Sequence, residues 1–107
     1  MIKNITKNII LARNIKKANS LIDKSVGMIS RDNSEGIIFK TRFGIHTFFM
    51  RNPIDVIILD NKNIVKKIKT IYPWNVFFWN PKFYQVIELP KDTISNTKTE
   101  VGDKLDF

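Results

Sequence analysis

Residues 54–72 read IDVIILDNKNIVKKIKTIY, and this stretch predicts the element around which the fold is built. The almost unbroken apolar run IDVIIL is typical of a buried strand. Asp60 to Asn63 then supplies residues that tolerate the left-handed conformation of a tight turn. The returning segment mixes lysines with Ile, Val and Thr, which is typical of a half-exposed strand. We therefore predict a β-hairpin over residues 54–72.

Further elements are predicted on both sides of this hairpin. Helical turns are expected in SLIDKSVGMI (20–29), with Ser20 as the N-cap, and in PKDTISNTKT (90–99), and the cluster RDNSE (31–35) predicts a turn. This order predicts a mainly β (α+β) fold in one domain over residues 1–107: a compact antiparallel sandwich or barrel-like sheet with one or two short helices. The further strands are ITKNIIL (5–11), GIIFK (36–40), IHTFFM (45–50), FYQVIEL (83–89) and a short terminal strand in VGDKLDF (101–107).

Composition excludes several classes of chemistry. The chain has no cysteine, which rules out disulfides, thiolate metal sites and cysteine nucleophiles. A single histidine is a poor basis for a structural zinc site. We expect neither a metal nor a cofactor. The apolar run NIILA is too short for a secretory signal, and no run is long enough to span a membrane. We therefore expect a cytoplasmic monomer that makes no membrane contact.

The net charge of +8 raises the question of nucleic acid. Fourteen of the 18 basic residues are lysine, and the chain is rich in Lys, Asn and Ile throughout, which indicates a general compositional bias. Arginine is the usual residue for bidentate recognition of phosphate and guanine. Weak, salt-sensitive nucleic-acid binding is therefore kept as a third hypothesis.

Polar residues interrupt the apolar segment 44–60, GIHTFFMRNPIDVIILD, where burying a charge is costly. His46 changes its charge near neutral pH and could act as an acid or base. Asp55 lies between two β-branched residues, so it must be paired, used as a cap, or open to a cavity. Pro53 cannot donate to a ladder and predicts a corner. We expect this corner to hold Asp55, and we expect Asp55 and His46 to share a pocket.

Six aromatic residues make the segment 73–84, PWNVFFWNPKFY, unusual. They could cover an open end of the barrel, line a ligand pocket or stack on bases. The leading hypothesis is a non-catalytic domain that binds a small molecule or a protein partner where the motif 46–55 meets this segment. The candidate ligand-binding residues are His46, Met50, Arg51, Asp55 and Trp74.

An acid–base, hydrolase-like enzyme is the alternative hypothesis. It would use His46 together with Asp55 or Glu88, which requires hydrogen-bond reach directly or through one water. The sequence has no HExxH or GxSxG motif that would fix such a site locally. We therefore regard an enzyme as less well supported than a binding domain.

One motif carries a resemblance to a known family. The block HTFFMRNPIDV (46–56) is its most specific part, and the chain resembles the domain of unknown function 192 family in its archaeal form from about residue 8 to the end. The resemblance implies a small, mainly β domain with no established activity. Asn75 departs from the arginine that often follows the tryptophan in archaeal relatives. The supporting blocks, in family order, are Val26-Gly27-Met28, Glu35-Gly36-Ile37-Ile38-Phe39, Pro73-Trp74, Glu88-Leu89-Pro90 and Val101-Gly102-Asp103.

Overall fold

The computed structural model describes residues 1–17, 36–42, 44–48 and 50–107. Within these residues the chain forms ten β-strands and one short helix, so the predicted mainly β fold is confirmed. The helix predicted at 20–29 and the turn predicted at 31–35 lie outside the described residues. The elements are β1 (Ile2–Asn4), β2 (Ile9–Ala12), β3 (Ile15–Lys17), β4 (Gly36–Lys40), β5 (Ile45–His46), β6 (Ile54–Leu59), β7 (Val65–Ile71), β8 (Val76–Phe77), β9 (Gln85–Pro90), α1 (Thr93–Thr97) and β10 (Leu105–Asp106).

Strand β6 organises the largest sheet. It pairs antiparallel with β7 on one side and with β9 on the other, in a five-stranded sheet of order β3-β4-β9-β6-β7. All six of its residues are buried, which explains the nearly continuous apolar run, since a strand covered on both faces needs no polar alternation. Strand β7 is the edge of this sheet, and its lysines suit that exposed position. The predicted hairpin over 54–72 is confirmed.

Asp60 shapes the turn between these two strands. Its Oδ1 accepts hydrogen bonds from the backbone N–H groups of Lys62 at 2.8 Å and Ile64 at 3.0 Å. Asn63 adopts a φ of 64°, a left-handed conformation that asparagine tolerates well. Burial alone would raise the pKa of Asp60, but these two N–H groups and the charge of Lys66 lower it overall.

The two faces of the main sheet are covered by different layers. Val56 packs in a cluster with Phe77, so the two-stranded ribbon β5–β8 covers one face, which we call the ribbon side. Ile57 packs in a second cluster with Leu105 and Ile94, so the sheet β10-β1-β2 and the helix α1 cover the other face, which we call the helix side. The result is a sandwich of sheets, one of the two arrangements that the sequence predicted. The pairing of β3 with β4 is parallel and so departs from the predicted antiparallel arrangement.

Two predicted strands are wrong in part. Residues 5–8 form a turn instead of the first half of a strand, because the chain folds back there so that β2 can pair with β1. Asn8, with a φ of 56°, completes that turn. Of the described residues in the strand predicted at 45–50, only those of β5 are in a strand. The Thr47 carbonyl accepts hydrogen bonds from the N–H groups of Met50 at 3.3 Å and Trp74 at 3.0 Å, which turns the chain out of the ladder.

A buried polar network joins the two ends of the chain. The Nδ2 of Asn4 donates to the hydroxyl of Thr99 at 3.2 Å and to Oδ2 of Asp103 at 2.9 Å. Asp103 also accepts the backbone N–H of Glu100 at 3.1 Å and forms an ion pair with Lys7 at 3.4 Å. Burial alone would raise the pKa of Asp103, but the hydrogen bonds from Asn4 and Glu100 and the charge of Lys7 lower it overall.

This network predicts an acid-sensitive stability. Because the folded-state pKa of Asp103 is lowered, its carboxylate stabilises the fold above the unfolded-state pKa of about 3.9, and this contribution is lost as pH falls through the lower folded-state value. Asp103→Asn should lower the free energy of unfolding at pH 7 by about 1–3 kcal/mol and weaken the loss of stability at acid pH. Urea unfolding between pH 7 and pH 3 measures both effects. Asp106→Asn, exposed on β10, is the control, and equal effects of the two variants would contradict the prediction.

Candidate functional site

Thr47 connects the turn at residues 72–75 to the end of β5 through hydrogen bonds. Its buried hydroxyl donates to the Tyr72 carbonyl at 2.7 Å and accepts the Asn75 N–H at 3.0 Å. Its own N–H donates to the Asn75 carbonyl at 2.9 Å. The Asn75 side chain in turn donates to the Tyr72 and Pro73 carbonyls, each at 3.0 Å. The turn is therefore held by these five hydrogen bonds of Thr47 and Asn75.

This turn holds Trp74 in an unusual conformation. Its φ is +63°, in the left-handed region that glycine or asparagine normally occupies. A bulky residue there costs about 1–2 kcal/mol in backbone sterics. The indole is nevertheless 61% exposed, so burial does not account for the choice of a tryptophan.

Trp74 belongs to a continuous row of exposed side chains on the outer side of the β5–β8 ribbon. The row is ordered by stacking: the rings of His46 and Phe48 lie 4.8 Å apart at 29°, and those of Phe48 and Trp74 lie 5.7 Å apart at 28°. The Phe48 N–H donates to Nδ1 of His46 at 3.3 Å, so in the neutral imidazole the proton lies on Nε2. We call the row the aromatic face, and it consists of His46, Phe48, Trp74, Val76 and Phe78.

The strand register explains why the row is continuous. His46 pairs directly with Val76, so both point outward, whereas the neighbouring pair of Ile45 and Phe77 points into the ribbon-side core. Phe78 extends the row because Gly44 leaves room for its ring. A Cβ on Gly44 would lie 2.5 Å from that ring, and the φ of Gly44 is +91°, which favours glycine at this position.

Lysine residues of β7 lie beside the ribbon that carries the aromatic face. The segments 36–54 and 61–87, which include the ribbon and the strands β4 and β7, contain eight Lys and Arg residues and no Asp or Glu. Of these cations, Lys66 forms an ion pair with Asp60, and Lys40 and Arg42 lie over the ring of Tyr84.

Lys67 donates from Nζ to the Phe78 carbonyl at 3.2 Å and lies 5.0 Å from the centroid of the Phe77 ring. Lys69 lies 6.0 Å from the same ring. Because Phe77 points into the ribbon-side core, both ammonium groups lie at the inner edge of the ribbon, and Lys67 reaches the end of the aromatic face through the Phe78 carbonyl.

Asp55 lies away from the aromatic face, and its contacts give it a structural role. It is 1% exposed and faces the helix side, where its Oδ1 accepts the Thr70 hydroxyl at 2.7 Å. Its Oδ2 accepts the Ile94 N–H at 2.8 Å, in the first turn of α1. Asp92 occupies the N-cap position but makes no side-chain hydrogen bond to the helix. The carboxylate of Asp55 on β6 accepts a helix N–H in its place. Asp55 thus caps α1 rather than the corner at Pro53.

The structure separates the residues that the acid–base hypothesis needed together. Asp55 pairs with Leu89 while Glu88 pairs with Val56, so the two carboxylates lie on opposite faces of the main sheet. Glu88 is 4% exposed on the ribbon side, and His46 lies on the solvent side of the ribbon. The shared pocket expected for His46 and Asp55 is therefore not formed, because the ribbon and the main sheet lie between them.

Of the predicted ligand-binding residues, the structure joins His46 to Trp74 through Phe48. Met50 is half-buried against the ribbon-side core, and Arg51 is exposed next to it in the chain. The ligand-binding residues predicted from the sequence do not include Phe48, Val76 or Phe78, although Phe78 belongs to the aromatic segment 73–84 that was considered for stacking. The available signal was the alternation of Trp74, Val76 and Phe78 at period two, which is typical of a strand with one exposed face.

The described ranges contain neither a cluster of metal ligands nor a helix that could span a membrane. Within them, no three or more His, Asp or Glu side chains converge as metal ligands. Within these ranges, no helix is long and apolar enough to cross a membrane.

The model of the DUF192 family (Uncharacterized ACR) matches residues 2–107. The chain belongs to the DUF192 family. A UPF0127 protein of Pyrococcus abyssi is 33% identical to this DUF192 member over 113 residues, covering 100% of this chain and 97% of that protein. Its counterpart in Pyrococcus horikoshii is 32% identical over 111 residues, covering 98% and 96% of the two chains. The resemblance noted in the motif at 46–56 is thereby confirmed.

A solved structure shares this DUF192 fold. It is a protein of unknown function from Novosphingobium aromaticivorans, with a TM-score of 0.71 and 17% identity, and the match covers 87% of this chain and 74% of that one. At this level of identity the likeness concerns the fold alone.

The contacts of Asp55 and the exposure of His46 predict that truncation of Asp55 lowers the free energy of unfolding much more than truncation of His46. Asp55→Ala leaves the Thr70 hydroxyl and the Ile94 N–H without their acceptor and should lower the free energy of unfolding by about 2–4 kcal/mol. His46→Ala on the exposed aromatic face should change it by less than about 0.5 kcal/mol. Urea denaturation at pH 7, followed by circular dichroism, measures both. Thr70→Val removes one of the two contacts and should give an intermediate loss; an Asp55→Ala variant as stable as the wild type would contradict this assignment.

Proposed function

We propose that this DUF192 protein is a non-catalytic binding domain whose ligand docks on the aromatic face. The observation that carries the proposal is Trp74, a large exposed side chain in a strained backbone conformation. Strained positions persist only where surrounding structure holds them, and they concentrate at functional sites. The hydrogen bonds of Thr47 and Asn75 provide that support. A turn selected for stability alone would carry glycine or asparagine here.

The size and continuity of the aromatic face also support the proposal. Contiguous exposed apolar side chains are uncommon on soluble monomers and mark interaction sites. Here the ring row runs without a break from His46 through Phe48 to Trp74.

An acid–base enzyme has little support in this geometry. Both carboxylate oxygens of Asp55 accept hydrogen bonds from residues on the helix side, and Nδ1 of His46 accepts the Phe48 N–H. A general base must lie within hydrogen-bond reach of its partner, and His46 and Asp55 do not. The binding domain is therefore the better supported function.

The strain at Trp74 predicts that this residue contributes to binding rather than to stability. Trp74→Gly relieves the left-handed backbone but adds freedom to the unfolded chain, so the free energy of unfolding should change by less than about 1 kcal/mol. Trp79 is the matched contrast, since it is buried and donates its indole N–H to the Phe83 carbonyl at 2.8 Å. Trp79→Ala should cost about 3–5 kcal/mol. Thermal and urea unfolding of both variants measure the difference; a loss at Trp74→Gly as large as at Trp79→Ala would mean that the aromatic face is structural.

Binding itself is tested by parallel capture from a cell extract of the source organism. The wild type, Trp74→Gly and Phe48→Ala are immobilised side by side, and bound protein, nucleic acid and small molecules are each analysed. We expect at least one component to be retained by the wild type and lost from both variants. Identical retention by all three proteins would refute docking on the aromatic face.

A further inference from the structure

We infer that the aromatic face binds single-stranded nucleic acid, an inference that rests on the proposed function and names its ligand class. Two features support it together: a row of exposed stacked rings, and the ammonium group of Lys67 at one end of that row in a part of the chain that is rich in cations. Proteins that bind single strands combine these two features, because bases stack on aromatic side chains while cations follow the phosphates.

The ring row suits unpaired bases. The planes of His46, Phe48 and Trp74 are within 30° of parallel from one ring to the next, with interplanar angles of 29° and 28°. Within the row the facing ring surfaces already contact one another, so a base would stack on the parts of the rings that remain exposed, as on Trp74, which is 61% exposed. Each base carries a π-face, so recognition by stacking tolerates different sequences. In a duplex these faces are already stacked on neighbouring bases, so the ligand class is the single strand.

The charge distribution specifies an anionic ligand. Eight Lys and Arg residues and no acidic residue lie in segments 36–54 and 61–87. Lys67 contacts the backbone of Phe78, which places an ammonium group at one end of the aromatic face. Arg51 is exposed three residues after Phe48. A phosphate backbone that passes over the row would meet cations beside the rings on which its bases stack.

The same charges argue against a second copy of this chain as the occupant. A symmetric dimer through the aromatic face would bring the same patch of each copy together. The ammonium group of Lys67 would then be brought into the interface from both copies, and like charges across an interface repel. A partner of opposite charge avoids this repulsion.

The experiment measures binding of fluorescein-labelled 12-mers to the full chain by fluorescence anisotropy. The probes are oligo(dT), oligo(U) and a 12-base-pair duplex, each titrated at several salt concentrations from 25 to 200 mM NaCl. We expect single strands to bind at least tenfold more tightly than the duplex at the same salt. The affinity should fall as salt rises, with log K changing by about 0.7 per log unit of salt for each phosphate contacted.

Variants locate the binding site. Trp74→Gly and Phe48→Ala should each weaken single-strand binding by about 5-fold to 150-fold, the range that corresponds to the loss of one base–aromatic stack. Lys67→Gln with Lys69→Gln should reduce the salt slope by about 1.4, for two phosphate contacts at 0.7 each. Lys98→Gln with Lys104→Gln removes the same charge from exposed positions outside both acid-free segments and serves as the matched control.

Each outcome decides between the two proposals. No single-strand binding at 25 mM NaCl, equal binding of the duplex, or an equal effect of the two lysine pairs would overturn the nucleic-acid inference. If extract capture then retained a protein that Trp74→Gly and Phe48→Ala both lose, the proposed binding function would stand with an acidic protein as its ligand. Single-strand binding that neither aromatic variant weakens would overturn the nucleic-acid inference for this face, and extract capture with the same variants would then decide the proposed function by itself.

Discussion

The pairing of β6 on both of its edges is the constraint on which the rest of the structure depends. A strand bonded to β7 and β9 satisfies its backbone N–H and C=O groups only if both neighbours stay in register. With both faces also buried, each of its side chains must find partners in one of two separate clusters. The layers above and below the sheet are therefore determined by which residues of β6 point to which side.

Asp55 illustrates the consequence of placing a charge on such a strand. A buried carboxylate is tolerated only when hydrogen bonds replace its lost hydration. Thr70 supplies one of them from the paired position on β7, and the first turn of α1 supplies another. The charge that looked like a candidate for chemistry thus joins three elements on the helix side. A helix of only five residues gains in return an acceptor that its own N-cap residue does not provide.

On the ribbon side the contrast is reversed, because the ribbon β5–β8 carries apolar side chains that are exposed to solvent. Its inner pair, Ile45 and Phe77, completes the core, so its outer pair and the residues beside it must face solvent. Such positions are usually polar, yet here they carry a stacked row of rings, and Trp74 takes a strained conformation within that row. Because exposed rings bury little apolar surface, the stability of the fold alone does not account for them, in keeping with the ligand site proposed for this face.

The sequence by itself determined the elements whose signals are local. The hairpin over 54–72 could be predicted because its apolar run, its turn residues and its lysine-bearing return are adjacent in the chain. The mainly β class followed from the same kind of pattern, and the motif at 46–56 pointed to the family. Only the tertiary structure decided which residues meet. The face on which Asp55 lies depends on its register with Leu89 and Thr70, and the exposure of His46 depends on its pairing with Val76. These partners are 15 to 34 residues away, and a shift of one position would reverse every side chain, so short-range patterns could not supply the answer.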